Sequence, residues 1–177
     1  MGEGPLGIFR ADVYFSTLPG WRGQSAAEIW RGSLIRLLGG SRITHCNIGV
    51  GEAVCDFGYR GNRYHPQIAF RMRHPSLLGW FEIPCRYALD LDAFNVARPP
   101  LRSWPTLRRW MLRGRGPWTE DCLCCTLECL AAAGVPGIPD NVVSPAALHR
   151  LLTRRGERWT DARAYRDQMA SRWCVTD

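Results

Sequence analysis

The alternation of apolar and polar positions divides the chain into readable elements. Ala11 to Thr17 alternates and is rich in strand formers, which predicts a first strand, broken at Leu18-Pro19-Gly20. Ser25 and Glu28 form a capping box, and Ile29, Trp30, Leu34, Ile35, Leu37 and Leu38 follow at helical spacing up to Gly39-Gly40. Arg42 to Val50 predicts a second strand, whose period of two places His45 and Asn47 on one face and Cys46, Ile48 and Val50 on the other. Gly51-Glu52 is a tight turn, and Ala53 to Phe57 returns as the second arm of a hairpin. Gln67 to Met72 and Gly79 to Pro84 are further strand candidates, flanked by turn residues.

The later part of the chain reads as helical. Ser103-Trp104-Pro105 opens a helix with proline in its first turn, carrying Leu107, Trp110 and Met111. Thr119 or Asp121 can cap the next helix, which runs to Ala133 and stops at Gly134-Val135-Pro136. Ser144-Pro145 opens another, carrying Leu148, Leu151 and Leu152. The tail after Arg155 is polar and predicts helix only in part. No repeat, low-complexity tract or linker divides residues 1–177, so a single α+β domain is expected.

Composition narrows the setting. A chain of 177 residues, 46% of them apolar, can bury a core. No apolar run approaches the roughly eighteen residues of a membrane span, so no transmembrane segment is expected. The N-terminus has no basic segment followed by a long apolar block. That predicts no signal peptide and a chain that is cytoplasmic when made. All 23 basic residues are arginine, which coding bias in a GC-rich genome explains, and the net charge of +7 attracts anionic partners without choosing among them. Arg102, Arg108, Arg109, Arg113 and Arg115 form a solvated face, with anion binding as the alternative. No nucleic-acid motif is present, so no specific nucleic-acid partner is expected.

Eight cysteines in a chain without a signal peptide point to thiols in a reducing compartment. Cys122, Cys124, Cys125 and Cys129 contain only one Cys-x-x-Cys pair, so neither a metal nor another cofactor is expected, and Cys125 and Cys129 share a helix face as small core residues do.

The residues with chemistry to offer are Cys122, His45 and Asp56. A thiol in the first turn of a helix has its pKa lowered by the helix dipole, and the unpaired N–H groups there are donors for an oxyanion. A neighbouring histidine takes the proton and returns it to the leaving group, and a third polar group holds the imidazole in place. The hairpin brings Asp56 beside His45, with Asn47 and His65 as alternatives for that third place. Cys124 and Cys125 compete with Cys122 as nucleophile. Cys122 is preferred because Cys125 falls a full turn further in, where the dipole effect fades.

Four local features resemble the permuted NlpC-type papain-like proteins, including the YiiX-like and lecithin retinol acyltransferase branches. Ala11-Asp12-Val13-Tyr14-Phe15 resembles their "G-D-hydrophobic-hydrophobic-F" opening strand, with alanine for the glycine. Residues 41–50 resemble their "S-H-V-G-I" strand. Asp121-Cys122, with Gly134 twelve residues after the cysteine, is similar to their cysteine helix ending in "A-A-G". Val143 to Leu148 resembles the "T-P-x-x-L" segment that follows. The match covers residues 11–57 and 117–152 and leaves 60–116 as a middle segment without counterpart. Leu123 departs from the small polar residue frequent after the cysteine.

The resemblance implies a small antiparallel sheet packed against a cysteine-bearing helix, with Cys122 as nucleophile, His45 as base and Asp56 as the polar third member. It implies a cysteine hydrolase that cleaves an amide, with bacterial cell-wall (peptidoglycan) peptide the leading substrate, reached from a phage virion or by a lysis route. The same site would serve a thioesterase or an acyltransferase on lipid. The alternative is a non-catalytic structural or adaptor protein in a virion or other assembly, whose eight tryptophans suit protein contacts.

Overall fold

The computed structural model describes residues 9–17, 33, 41–58, 61–91, 122–139 and 141–173. Its strands are β1 (Phe9–Ser16), β2 (His45–Val50), β3 (Ala53–Gly58), β4 (Gly61–Pro66), β5 (Leu77–Cys85) and β6 (Arg158–Asp161). Its helices are α1 (Gln67–Arg73), α2 (Cys122–Ala132), α3 (Pro145–Arg154) and α4 (Ala162–Trp173). Apart from Ser33, the expected helices at 25–38 and 103–113, with the caps Thr119 and Asp121, lie outside the described residues.

All five strand pairings are antiparallel, giving one mixed α+β architecture around a six-stranded sheet in the order β4-β3-β2-β1-β5-β6. Alternation along the central strands sorts the core into two layers. Val13, Phe15, Cys46, Ile48, Cys55 and Phe81 face α2 and α3, meeting Leu123, Leu130, Leu148 and Leu152. Tyr14, Val54 and Trp80 face the other way, where Phe70 of α1 and Ala162 of α4 cover them. Burying a side chain of this size contributes about 1.5–3 kcal/mol. The sheet thus carries helices on both faces, with the cysteine-bearing α2 on one of them.

The helix ends follow from the sequence. α2 stops in a Schellman motif: the amide of Val135 bonds the carbonyl of Leu130 and that of Gly134 bonds Ala131, with Gly134 at φ +68°. Ser144 caps α3, its hydroxyl accepting the amide of Ala147 at 3.1 Å, with Pro145 in the first turn.

Three expectations need correction. Residues 67–72 form a helix rather than a strand. One turn of helix brings Gln67 and Arg71 together on the Asp12 carboxylate, while extended chain would hold them too far apart to share it. The polar tail, helical in part as expected, also supplies a strand: β6 pairs with β5 through its backbone, and the Asp161 carboxylate caps α4 by accepting the amides of Arg163 and Ala164, both at 2.9 Å. Strand β4, bracketed by glycine and proline, was not expected at all; it is an edge strand that buries little beyond Tyr64.

Candidate active site

Cys122 is the first residue of α2, and its side chain packs into the layer between α2 and the sheet at 9% exposure. Its helix lies over β2, so the thiol reaches the strand on which His45 stands. His45 opens β2 opposite Ser16, the last residue of β1, and therefore sits at the end of the sheet. Cys122 and His45 lie close enough for each to shift the other's ionisation.

The hairpin supplies the third group. Its ladder runs from Val50–Ala53 to Ile48–Cys55, a register set by the two-residue turn. Beyond Cys55, Asp56 Oδ1 lies 3.1 Å from His45 Nε2. With Nε2 taken by Asp56, Nδ1 is the ring nitrogen left for Cys122. The structure thus brings His45 and Asp56 into contact and places Cys122 beside them.

The alternatives for the third place fall elsewhere. Asn47 is buried, and its Oδ1 accepts the amide of Phe57 at 3.1 Å, bridging the two arms where the regular ladder ends. His65 on β4 approaches the other Asp56 oxygen at 3.9 Å, an ion-pair distance rather than a hydrogen bond. Cys124 points away from the core layer and bonds the Glu128 carboxylate at 3.2 Å. Cys125 is buried in the core that also holds Cys55. Among the described residues no three His, Cys, Asp or Glu side chains are placed to hold a metal ion.

Electrostatics corrects one expectation. The neighbouring Cys46 thiol, and then burial, hold the Cys122 thiol well above its ordinary 9.0, with His45 pulling the other way. The dipole-lowered thiol that the sequence implied is outweighed. Burial works against a charged His45, but a Cys122 thiolate, once formed, and the Asp56 carboxylate outweigh it and raise the imidazole. Burial likewise opposes a charged Asp56, yet its bond to His45 holds the carboxyl below the usual range. Cys122 and His45 thus favour each other's ionised forms. A proton moved from Sγ to Nδ1 creates an ion pair that Asp56 steadies.

The chain matches no family model, no curated protein and no solved structure. Its site is therefore read from geometry alone. Among the described residues no helix is long and apolar enough to cross a membrane.

Three features escaped the sequence reading. Cys46 lies in the same buried layer as Cys122 and raises its thiol, a placement that the alternation of β2 implied once α2 was set on that face. His74, buried after α1, senses Asp56 and is itself pushed down to about 4, chiefly by burial. A cavity of about 540 Å³ opens at the opposite end of the β1–β2 pair, lined by Asp12, Gln67, Arg71 and Glu82 among others. It contains none of the three candidate residues. Nothing in local sequence links its parts, because they come from four separate elements.

Proposed function

We propose that this chain is a cysteine hydrolase acting on an amide bond, with Cys122 as nucleophile, His45 as general base and acid, and Asp56 as the orienting carboxylate. The observation that carries the reading is the His45 imidazole bonded to Asp56 at 3.1 Å and neighbouring the Cys122 thiol at the head of α2. Support also comes from chain order: a strand bearing histidine, a hairpin bearing aspartate, then a helix headed by cysteine and a helix opened by Ser144-Pro145. This order fits the permuted papain-like arrangement.

The chemistry follows from the proton inventory. Sγ attacks the substrate carbonyl carbon as its proton passes to His45 Nδ1, so the thiolate is made in the act of attack rather than stored. The imidazolium, held by Asp56, then protonates the leaving nitrogen and the C–N bond breaks. Water attacks the thioester with His45 as base, and release of the acid regenerates the thiol. Cell-wall peptide is the leading substrate, reached from a virion or a lysis route, and an acyl ester of lipid would follow the same steps. The high thiol pKa favours a second reading, a fold retained as an adaptor in an assembly.

The test offers soluble cell-wall peptides, a simple N-acyl amine and phospholipid vesicles to the full chain, then maps acyl adducts after acid quench. Free amine released from the peptides and a thioester on Cys122, both lost in Cys122→Ala and His45→Ala, are the expected results. Adducts on Cys124 or Cys125 would displace Cys122. No turnover of any acyl substrate by a folded chain would favour the adaptor reading.

A further inference from the structure

The proposed mechanism uses one of the two Asp56 oxygens. Oδ1 holds His45, while Oδ2 faces the imidazole of His65, whose Nε2 lies 3.9 Å away. His65 stands on β4, which runs beside β3 with His65 opposite Val54 and Arg63 opposite Asp56. Directly opposed residues share a face, so His65 is the diagonal neighbour of Asp56, a separation that an aromatic side chain can span. Arg63 is exposed, whereas His65 Nε2 is buried and makes no hydrogen bond among the described residues.

The ring is set in place from two sides. Phe70 of α1 packs on it with centroids 5.7 Å apart, and the neighbouring Tyr64 ties β4 to the Leu91 carbonyl at 2.7 Å. A buried N–H without an acceptor is costly, and the acceptor facing this one is Asp56 Oδ2. The gap is about 0.7 Å wider than the roughly 3.2 Å limit of an N–H···O bond. Hydrogen bonds that serve catalysis are often long in the empty site and tighten in the reacting complex.

We infer that His65 is a positioning residue for this site: its Nε2–H closes on Asp56 Oδ2 and holds the carboxylate so that Oδ1 keeps its bond to His45. The inference rests on the reading of Cys122, His45 and Asp56 as a hydrolytic site. A carboxylate held through both oxygens does not turn its plane, so the imidazole that it orients stays aimed at the thiol. A donor on Oδ2 also favours the ionised carboxylate, and that keeps Asp56 from taking the His45 proton when the imidazolium forms. The competing role for His65 is packing on Phe70 and nothing more.

The experiment isotope-labels the histidine nitrogens of the full-length chain and reads each ring by NMR. The chain has four histidines, so single replacements assign them. In wild type, His65 Nε2 should carry a proton at neutral pH, and its resonance should move in Asp56→Ala. A bare Nε2, or one indifferent to Asp56→Ala, would overturn the assignment. Two further variants separate positioning from packing. His65→Phe keeps a ring on Phe70 and loses the donor, while His65→Gln loses the ring and keeps an N–H near the Nε2 position. On soluble cell-wall peptides, His65→Phe should lower kcat about 10-fold with KM unchanged, inside the roughly 10²-fold that a 1 Å misplacement costs. His65→Gln should recover most of that loss. The reverse order, with Phe active and Gln impaired, would make His65 a packing residue. The wild-type spectrum decides even if a variant fails to fold. A chain whose His65 nitrogen answers to Asp56 but which turns over no acyl substrate keeps this pairing and loses the hydrolase reading; amide cleavage unchanged in His65→Phe does the reverse.

Discussion

His45 Nε2 and Asp56 Oδ1 stand 3.1 Å apart on the two arms of one hairpin. This contact gives Nε2 a fixed acceptor, and so gives Nδ1 to the thiol. Asp56→Asn keeps the shape but removes the charge that favours the imidazolium. We expect amide turnover to fall by about 10²–10⁴-fold, the range seen when a base loses its orienting group. Measurement of kcat/KM on the folded variant checks this, and an unchanged value would remove Asp56 from the site.

Stability should fall on the acid side through a buried histidine. His74 is lowered to about 4 from 6.5, so stability falls as pH drops through that interval while the unfolded chain takes up the proton first. Urea midpoints should rise from pH 4 and level off above about 6.5. His74→Gln should flatten that acid limb. A His74→Gln curve parallel to wild type throughout would refute the assignment.

Arg71 is held on three sides. Its guanidinium donates to Asp12 Oδ2 at 2.8 Å and to the Tyr14 hydroxyl at 2.9 Å, and it lies 4.4 Å from the centroid of Trp80. Arg71→Ala leaves the largely buried Asp12 without its cation, at an expected cost of about 3–5 kcal/mol. Denaturant melts of Arg71→Ala and of Asp12→Asn/Arg71→Ala test this. The double variant should recover part of the loss, since no charge is then stranded.

At Gly79, β5 leaves no room for a side chain beside β6. A Cβ there would run into the Thr160 carbonyl and the Trp159 ring, which packs at 4.8 Å on Phe81. Gly79→Ala should cost about 1–3 kcal/mol and loosen β6 first. Hydrogen exchange of the β6 amides reads that loosening, and full protection in the variant would show that the contact yields.

The hairpin and its residues were legible because three local rules agree there. Strand alternation, a turn with Gly51 at φ +58° and the spacing to Asp56 together fix which side chains share a face. The ends of α2 and α3 were legible for the same kind of reason, in Gly134 and in Ser144-Pro145. What escaped depends on partners distant in sequence. Gln67 to Met72 looks extended until Asp12, far upstream, selects the helix. β6 exists because β5 offers a free edge, and the α4 sequence has too few apolar positions to announce itself. The raised thiol of Cys122 was equally out of view, since it depends on Cys46 and on burial by the assembled layers.

The carbonyl of Ala133 accepts the amides of both Arg86 and Tyr87, just past β5. The C-terminal end of the cysteine helix is thereby moored to the sheet, and the sulfur sits at the free end of a strut of fixed length. Each residue added to or removed from that strut would turn its tip by about 100° and shift it by about 1.5 Å. The aim of the thiol at His45 is thus set by a residue count, and a single insertion between Thr126 and Ala133 would swing it away while leaving every site residue in the chain.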